Sequence, residues 1–132
     1  MQPEHSHTQR HAQRQAPPDV LLTLALPQAL EEDVLDLLAA NASQVPGFTL
    51  LAAQGMGRHE HLGSAMEQIL GRSKRCMVQV AMAQAHVAPL LDALHQALPN
   101  PAISYWVSPL LAFGHLGAVP AALADASSGV AP

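Results

Sequence analysis

Hydrophobic positions change period several times along the chain, and each change marks an element. Val20–Leu26 (VLLTLAL) is apolar except for Thr23 and is stopped by Pro27, the pattern of a buried strand. Leu30, Val34, Leu37 and Leu38 then recur at helical spacing, which predicts a helix over Gln28–Asn41. Glu31, Glu32, Asp33 and Asp36 fall in its first turns, where the helix dipole favours negative charge, and read as a solvated face. Val45-Pro46-Gly47 is a turn, Phe48–Ala53 a second strand, and Gly55-Met56-Gly57 its end. From Arg58 to Arg75 the chain is polar and basic. Leu62, Met66, Ile69 and Leu70 give that stretch a weak helical period broken by Gly63 and Gly71, and it reads as a long loop. Cys76, Val78, Val80 and Met82 alternate with Met77, Gln79 and Ala81, the period of a strand. Val87, Leu90, Leu91, Leu94 and Leu98 mark a second amphipathic helix, ended by Pro99-Asn100-Pro101. Ile103–Val107 (ISYWV) is a last strand, rich in β-branched and aromatic residues.

The order β-α-β-loop-β-α-β predicts an α+β fold of the ferredoxin-like βαββαβ kind, a four-stranded antiparallel sheet with two helices on one face. Apolar residues occupy both alternating faces of the first, third and fourth strands. The second sheet face is therefore expected to be covered too, and association with further copies does this most simply. Residues 1–19 are rich in His, Gln and Pro and read as a mobile tail, as do residues 118–132 (AVPAALADASSGVAP). The domain expected is 20–117, with the loop at 58–75.

Length agrees with one domain: 132 residues, of which 49% are hydrophobic and 12% charged. A single cysteine, Cys76, excludes an internal disulfide. No run approaches the roughly 18 apolar residues of a membrane span. The first residues lack the apolar core of a secretory signal, so a cytoplasmic protein is expected, reaching membranes only through a partner. The net charge of −4 opposes general nucleic-acid binding. Yet four of the six Lys and Arg residues, Arg58, Arg72, Lys74 and Arg75, fall between positions 58 and 75. A small anion suits that concentration better than a long polyanion.

These residues resemble the PII-like signalling superfamily over residues 20–117. Gly55-Met56-Gly57-Arg58, following Gly47-Phe48, resembles the Gly-aromatic-Gly-Arg that opens the long T-loop of that family, and Trp106-Val107-Ser108-Pro109 its Phe-Val-Ser-Pro. A closer resemblance is to a small PII-like family of unknown function whose genes often lie beside heavy-metal efflux pumps. It rests on Glu67-Gln68-Ile69-Leu70-Gly71-Arg72-Ser73-Lys74-Arg75 and Ile103-Ser104-Tyr105-Trp106-Val107. The resemblance implies a homotrimer, ligand sites in the clefts between subunits, loops that change shape on binding, and a protein partner in metal efflux or its regulation. Departures are equally specific. Where PII proteins place a Thr-Gly-x-x-Gly-Asp-Gly-Lys phosphate loop, this chain has Leu98-Pro99-Asn100-Pro101-Ala102, and no tyrosine precedes Tyr105 to serve as the modifiable T-loop residue. The basic residues that follow the fourth strand in PII fall here at His115 and Gly117.

Candidate chemistry divides in two. In extended backbone His59 and His61 point to one side and can share a metal ion, with Glu60 between them and Cys76 as a soft ligand whose thiolate the nearby cations would favour. Imidazole suits Cu, Zn, Ni or Co. The plainer readings are solvated loop histidines and a small apolar strand cysteine. His5, His7 and His11 add a weak chelating tail, and His86 and His95 are expected on the surface of the second helix. Gly55, Gly57, Arg58, Arg72, Lys74 and Arg75 form the anion candidate, guanidinium forks beside accessible amides that suit ATP, ADP or AMP. Nothing in the chain forms a catalytic constellation, so no enzymatic activity is expected. The leading expectation is a trimeric sensor of a transition metal, linked to metal efflux. The alternatives are an adenine-nucleotide or other anion sensor, and a passive metal buffer or chaperone.

Overall fold

Strand β1 (Val20–Pro27) runs through the middle of the molecule. The computed structural model describes residues 16–56 and 63–118. A single 3-10 turn (Gln28–Leu30) leads from β1 into helix α1 (Glu31–Ala40), followed by β2 (Thr49–Gly55) and the short helix α2 (Ala65–Leu70). Strand β3 (Ser73–Met82), a second 3-10 turn (Gln84–His86), helix α3 (Val87–Ala97) and β4 (Ser104–Pro109) complete the order. The sheet is antiparallel throughout, in the order β2-β3-β1-β4. This is the α+β, ferredoxin-like arrangement that the sequence predicts.

Alternation explains the core. Leu22, Leu24 and Leu26 of β1 pair with Val80, Val78 and Cys76 of β3, and direct partners project to the same face. That face is closed by Val34 and Leu38 of α1 and by Val87 and Leu90 of α3, all buried. The helical period of the sequence is thus the stripe that covers the sheet. On the opposite face the rows are Leu51-Met77-Ala25-Ser104 and Thr49-Gln79-Thr23-Trp106, with no helix among the described residues over them. Trp106 is 46% exposed there and Leu51 41%.

Two boundaries differ from expectation for a common reason. Strand β3 begins three residues earlier than Cys76, because Ser73, Lys74 and Arg75 complete the ladder with Gly55, Gln54 and Ala53. The stretch expected as loop 58–75 therefore carries helix α2 and the start of β3 at its end. Ser64 is the N-cap of α2: its hydroxyl accepts from the Glu67 amide at 3.1 Å. Gly71 ends the helix with φ +70°, a left-handed position that suits glycine.

Candidate functional site

One end of the sheet gathers the candidate residues. Gly55 closes β2, Ser73 opens β3 opposite it, Pro27 closes β1 opposite Arg75, and residues 98–103 lead into β4 at the same end. Ser73 Oγ donates to the Gly55 carbonyl at 3.3 Å, which ties the two strand ends together. A Cβ at Gly55 would lie 3.1 Å from Arg75 Cδ, so the missing side chain is what lets the arginine lie across the strand end. The Arg75 guanidinium donates through Nη2 to the Ala102 carbonyl at 3.4 Å, linking β3 to the turn before β4.

Alternation then splits the cations. Lys74 is exposed on the helix-bearing side, while Arg75 projects to the other. Arg72 is exposed and donates through Nε to Gln54 Oε1. The cationic cluster is thus a rim around the strand end, with Arg72 and Lys74 toward solvent and Arg75 turned inward. Arg58 and Gly57 lie outside the described residues, as do His59, Glu60, His61 and the tail histidines.

Glu67 holds this rim in place. Its Oε1 accepts from the amides of Gly63 at 3.1 Å and Ser64 at 3.4 Å, and its Oε2 accepts from the Lys74 amide at 3.2 Å. The Lys74 amide foremost, then those of Gly63 and Ser64, hold its carboxyl below the ordinary range against the opposing push of desolvation. One carboxylate thus ties the N-terminal end of α2 to the start of β3. The Ser64-x-x-Glu67 spacing of a capping box was the available signal in the sequence.

The turn 98–102 settles whether a phosphate could sit on backbone amides there. Pro99 and Pro101 have no N–H. The Asn100 amide donates to the Leu98 carbonyl at 2.8 Å, the Ile103 amide to the Asn100 carbonyl at 3.1 Å, and the Ala102 amide to Asn100 Oδ1 at 2.9 Å. The Leu98 amide donates to the Leu94 carbonyl of α3, so every amide of the turn is spent within it or on that helix. An anion at this end must be held by side chains and by the strand end at Gly55, not by an amide cradle.

Cys76 lies in the core, as the plainer of its two readings, a small apolar strand residue, has it. It faces the helices, is 3% exposed, and its thiol is pushed up by burial and by the Glu31 carboxylate beside it, opposite to activation by neighbouring cations. Glu31 accordingly leaves the solvated acidic face, whereas Glu32, Asp33 and Asp36 remain exposed on it. Among the described residues no three of His, Cys, Asp and Glu come together as a metal site. His95 is exposed on α3, His86 is half-buried, and His115 lies beyond β4, edge-on to Phe113 at 5.6 Å. A concavity of about 350 Å³ opens between α1, α3 and β4 over Leu24 and Val34.

Residues 16–117 match the family described as Protein of unknown function (DUF3240). No curated protein matches the chain. Among solved structures the fold is similar to that of a DUF3240 family protein from Shewanella baltica OS155, with 23% identity and a TM-score of 0.59, over 76% of this chain and 99% of that one. It is also similar to CPII, a nitrogen regulatory PII-like protein from Thiomonas intermedia K12 bound to ADP, AMP and bicarbonate. That likeness has 21% identity and a TM-score of 0.57, over 75% of this chain and 97% of that one. No helix among the described residues is long and apolar enough to cross a membrane.

Proposed function

The chain belongs to the DUF3240 family, and from that membership and the PII-like fold we propose that it is a non-enzymatic regulatory protein of the PII-like type. It works as a cytoplasmic homotrimer that binds a small anion, an adenine nucleotide with or without bicarbonate, in clefts between subunits. The anion meets Arg72 and Lys74 on the rim beside Gly55, together with Arg75 and the loop residues Gly57 and Arg58. Binding reshapes the segment between Gly55 and Gly71 and so changes the surface offered to a protein partner. The domain responsible is 20–117.

The observation that carries this reading is the cationic rim at the strand end, with Arg72 and Lys74 exposed on a segment anchored by Glu67. The ADP, AMP and bicarbonate bound by the similarly folded CPII support this choice of ligand class. Trimerisation is supported by the sheet face that no helix among the described residues covers, where Trp106 and Leu51 stand exposed. A transition metal held by His59, Glu60 and His61, with Cys76 as a further ligand, and a link to metal efflux, are the competing reading, against which the burial of Cys76 counts. A thermal-shift panel decides between them: ATP, ADP, AMP, bicarbonate, and salts of Cu, Zn, Ni and Co.

At about 100 times its dissociation constant a ligand adds about 2.7 kcal/mol, a rise on the order of 10 °C for a domain of this size. We expect that rise with an adenine nucleotide, lost in Arg58→Ala/Arg72→Ala and kept in His59→Ala/His61→Ala. A rise with one metal alone, abolished by the histidine pair, would replace the anion reading.

A further inference from the structure

We propose that residues 110–118 form an arm that docks on a second copy of this chain, Leu111 and Leu116 entering that copy's cleft between α3 and β4. Leu111 is 103% exposed and Leu116 99%, so neither leucine touches its own chain. Phe113 is 44% exposed between them. The segment is nevertheless shaped. The Leu110 amide donates to the Asp19 carbonyl at 3.0 Å, and the Ala118 amide to the His115 carbonyl at 3.0 Å, closing a tight turn at the tip. A built segment that presents bare leucines marks a contact surface.

The cleft supplies the complementary half. It is floored by Leu24 and Val34 and walled by Leu91, Leu94, Leu98 and Ile103, and no Asp, Glu, Lys or Arg lines it. The arm, LLAFGHLGA, likewise carries no charged residue, so docking strands no charge. Its volume of about 350 Å³ compares with about 150 Å³ for an apolar cavity that accepts benzene, leaving room for two leucine side chains.

The arm does not fill the cleft of its own subunit. Residues 98–103 mark the cleft's rim at the start of β4, whereas Leu110 is fixed at the other end of the sheet. Six residues of β4 separate them, about 20 Å at the rise of a strand. Arm and cleft are different patches, so a second copy can take the arm reciprocally, as in a two-fold dimer, or head-to-tail, as in a ring. The ring of three rests on the trimer proposed above; the contact itself requires only a second copy.

Two experiments on the full chain test this. Sedimentation equilibrium of Leu111→Asp/Leu116→Asp should show at least a tenfold rise in the dissociation constant of the assembly, with the far-ultraviolet spectrum of a folded chain. An equimolar mixture of Leu116→Cys and His95→Cys chains, joined by a short bismaleimide, should give a covalent dimer that neither variant gives alone. An assembled double aspartate variant with unchanged mass overturns the arm and leaves the anion-sensor reading standing. Dissociation without the cross-link puts the arm elsewhere on its partner and overturns the cleft assignment. A chain ending at Ala118 that falls apart while the double variant holds would give the cleft to the residues that follow. A wild-type monomer removes both the arm contact and the inter-subunit site.

Discussion

Glu67 sits in the most basic stretch of the chain, yet its closest partners are three backbone amides. Because those bonds favour the ionised carboxylate, its native pKa lies below the ordinary glutamate value of about 4.3. The sign follows from linkage: the clamp contributes fully above the ordinary value and is lost as pH falls through the lowered native one. Proteolysis or amide exchange within 63–74 should therefore be flat near neutral pH and accelerate only in acid. Glu67→Gln, which leaves one oxygen to serve three amides, should raise that exchange several-fold at pH 7 without moving the global unfolding midpoint appreciably, since the residue is outside the core. An unchanged loop would show that the capping hydroxyl of Ser64 holds α2 by itself. The Ser64-x-x-Glu67 spacing stands in the sequence as a capping-box signal that the loop reading of 58–75 passed over, and the reach of Glu67 to the Lys74 amide has no such signal. That bond depends on Gly71 reversing the chain, a geometry no spacing rule supplies.

At the scale of elements, periodicity carried most of the fold. The strands and helices came from alternation and helical spacing, because each has one face that must be buried. Leu90 illustrates the stake: it is fully buried where α3 meets the sheet, and Leu90→Ala should cost about 2–5 kcal/mol in a urea unfolding series, through lost transfer energy and the cavity left behind. A cost below 1 kcal/mol would mean that α3 is not seated as described. What periodicity could not show is the start of β3. Ser73, Lys74 and Arg75 are polar and look like loop, and only their pairing with Gly55, Gln54 and Ala53 makes them strand. The same pairing puts Lys74 and Arg75 on opposite faces and so disperses the cation cluster that the sequence suggested. The turn 98–102 was equally opaque. Its lack of glycine and lysine was plain in the sequence, but the complete use of its amides emerges only once Asn100 is seen folded back on Ala102.

The whole molecule has two unlike ends and one unfinished face. One end carries the exposed cations and the turn braced by Arg75; the other is bound by Asp19, whose amide donates to Met82 and whose carboxylate accepts from the Gln84 amide at 2.8 Å. Between them the sheet is sealed by helices on one side and, among the described residues, open on the other. An anion site made of side chains, without an amide cradle, should be strongly screened, because exposed charges lose most of their mutual attraction beyond a Debye length of about 8 Å at 0.15 M salt. The most direct measurement is a calorimetric titration of ADP into the assembled chain and into Arg72→Ala/Lys74→Ala, at 50 mM and 300 mM salt. The account predicts saturable binding that weakens with salt and is at least tenfold weaker in the variant. Binding of equal strength in both proteins, or none in either, would contradict it.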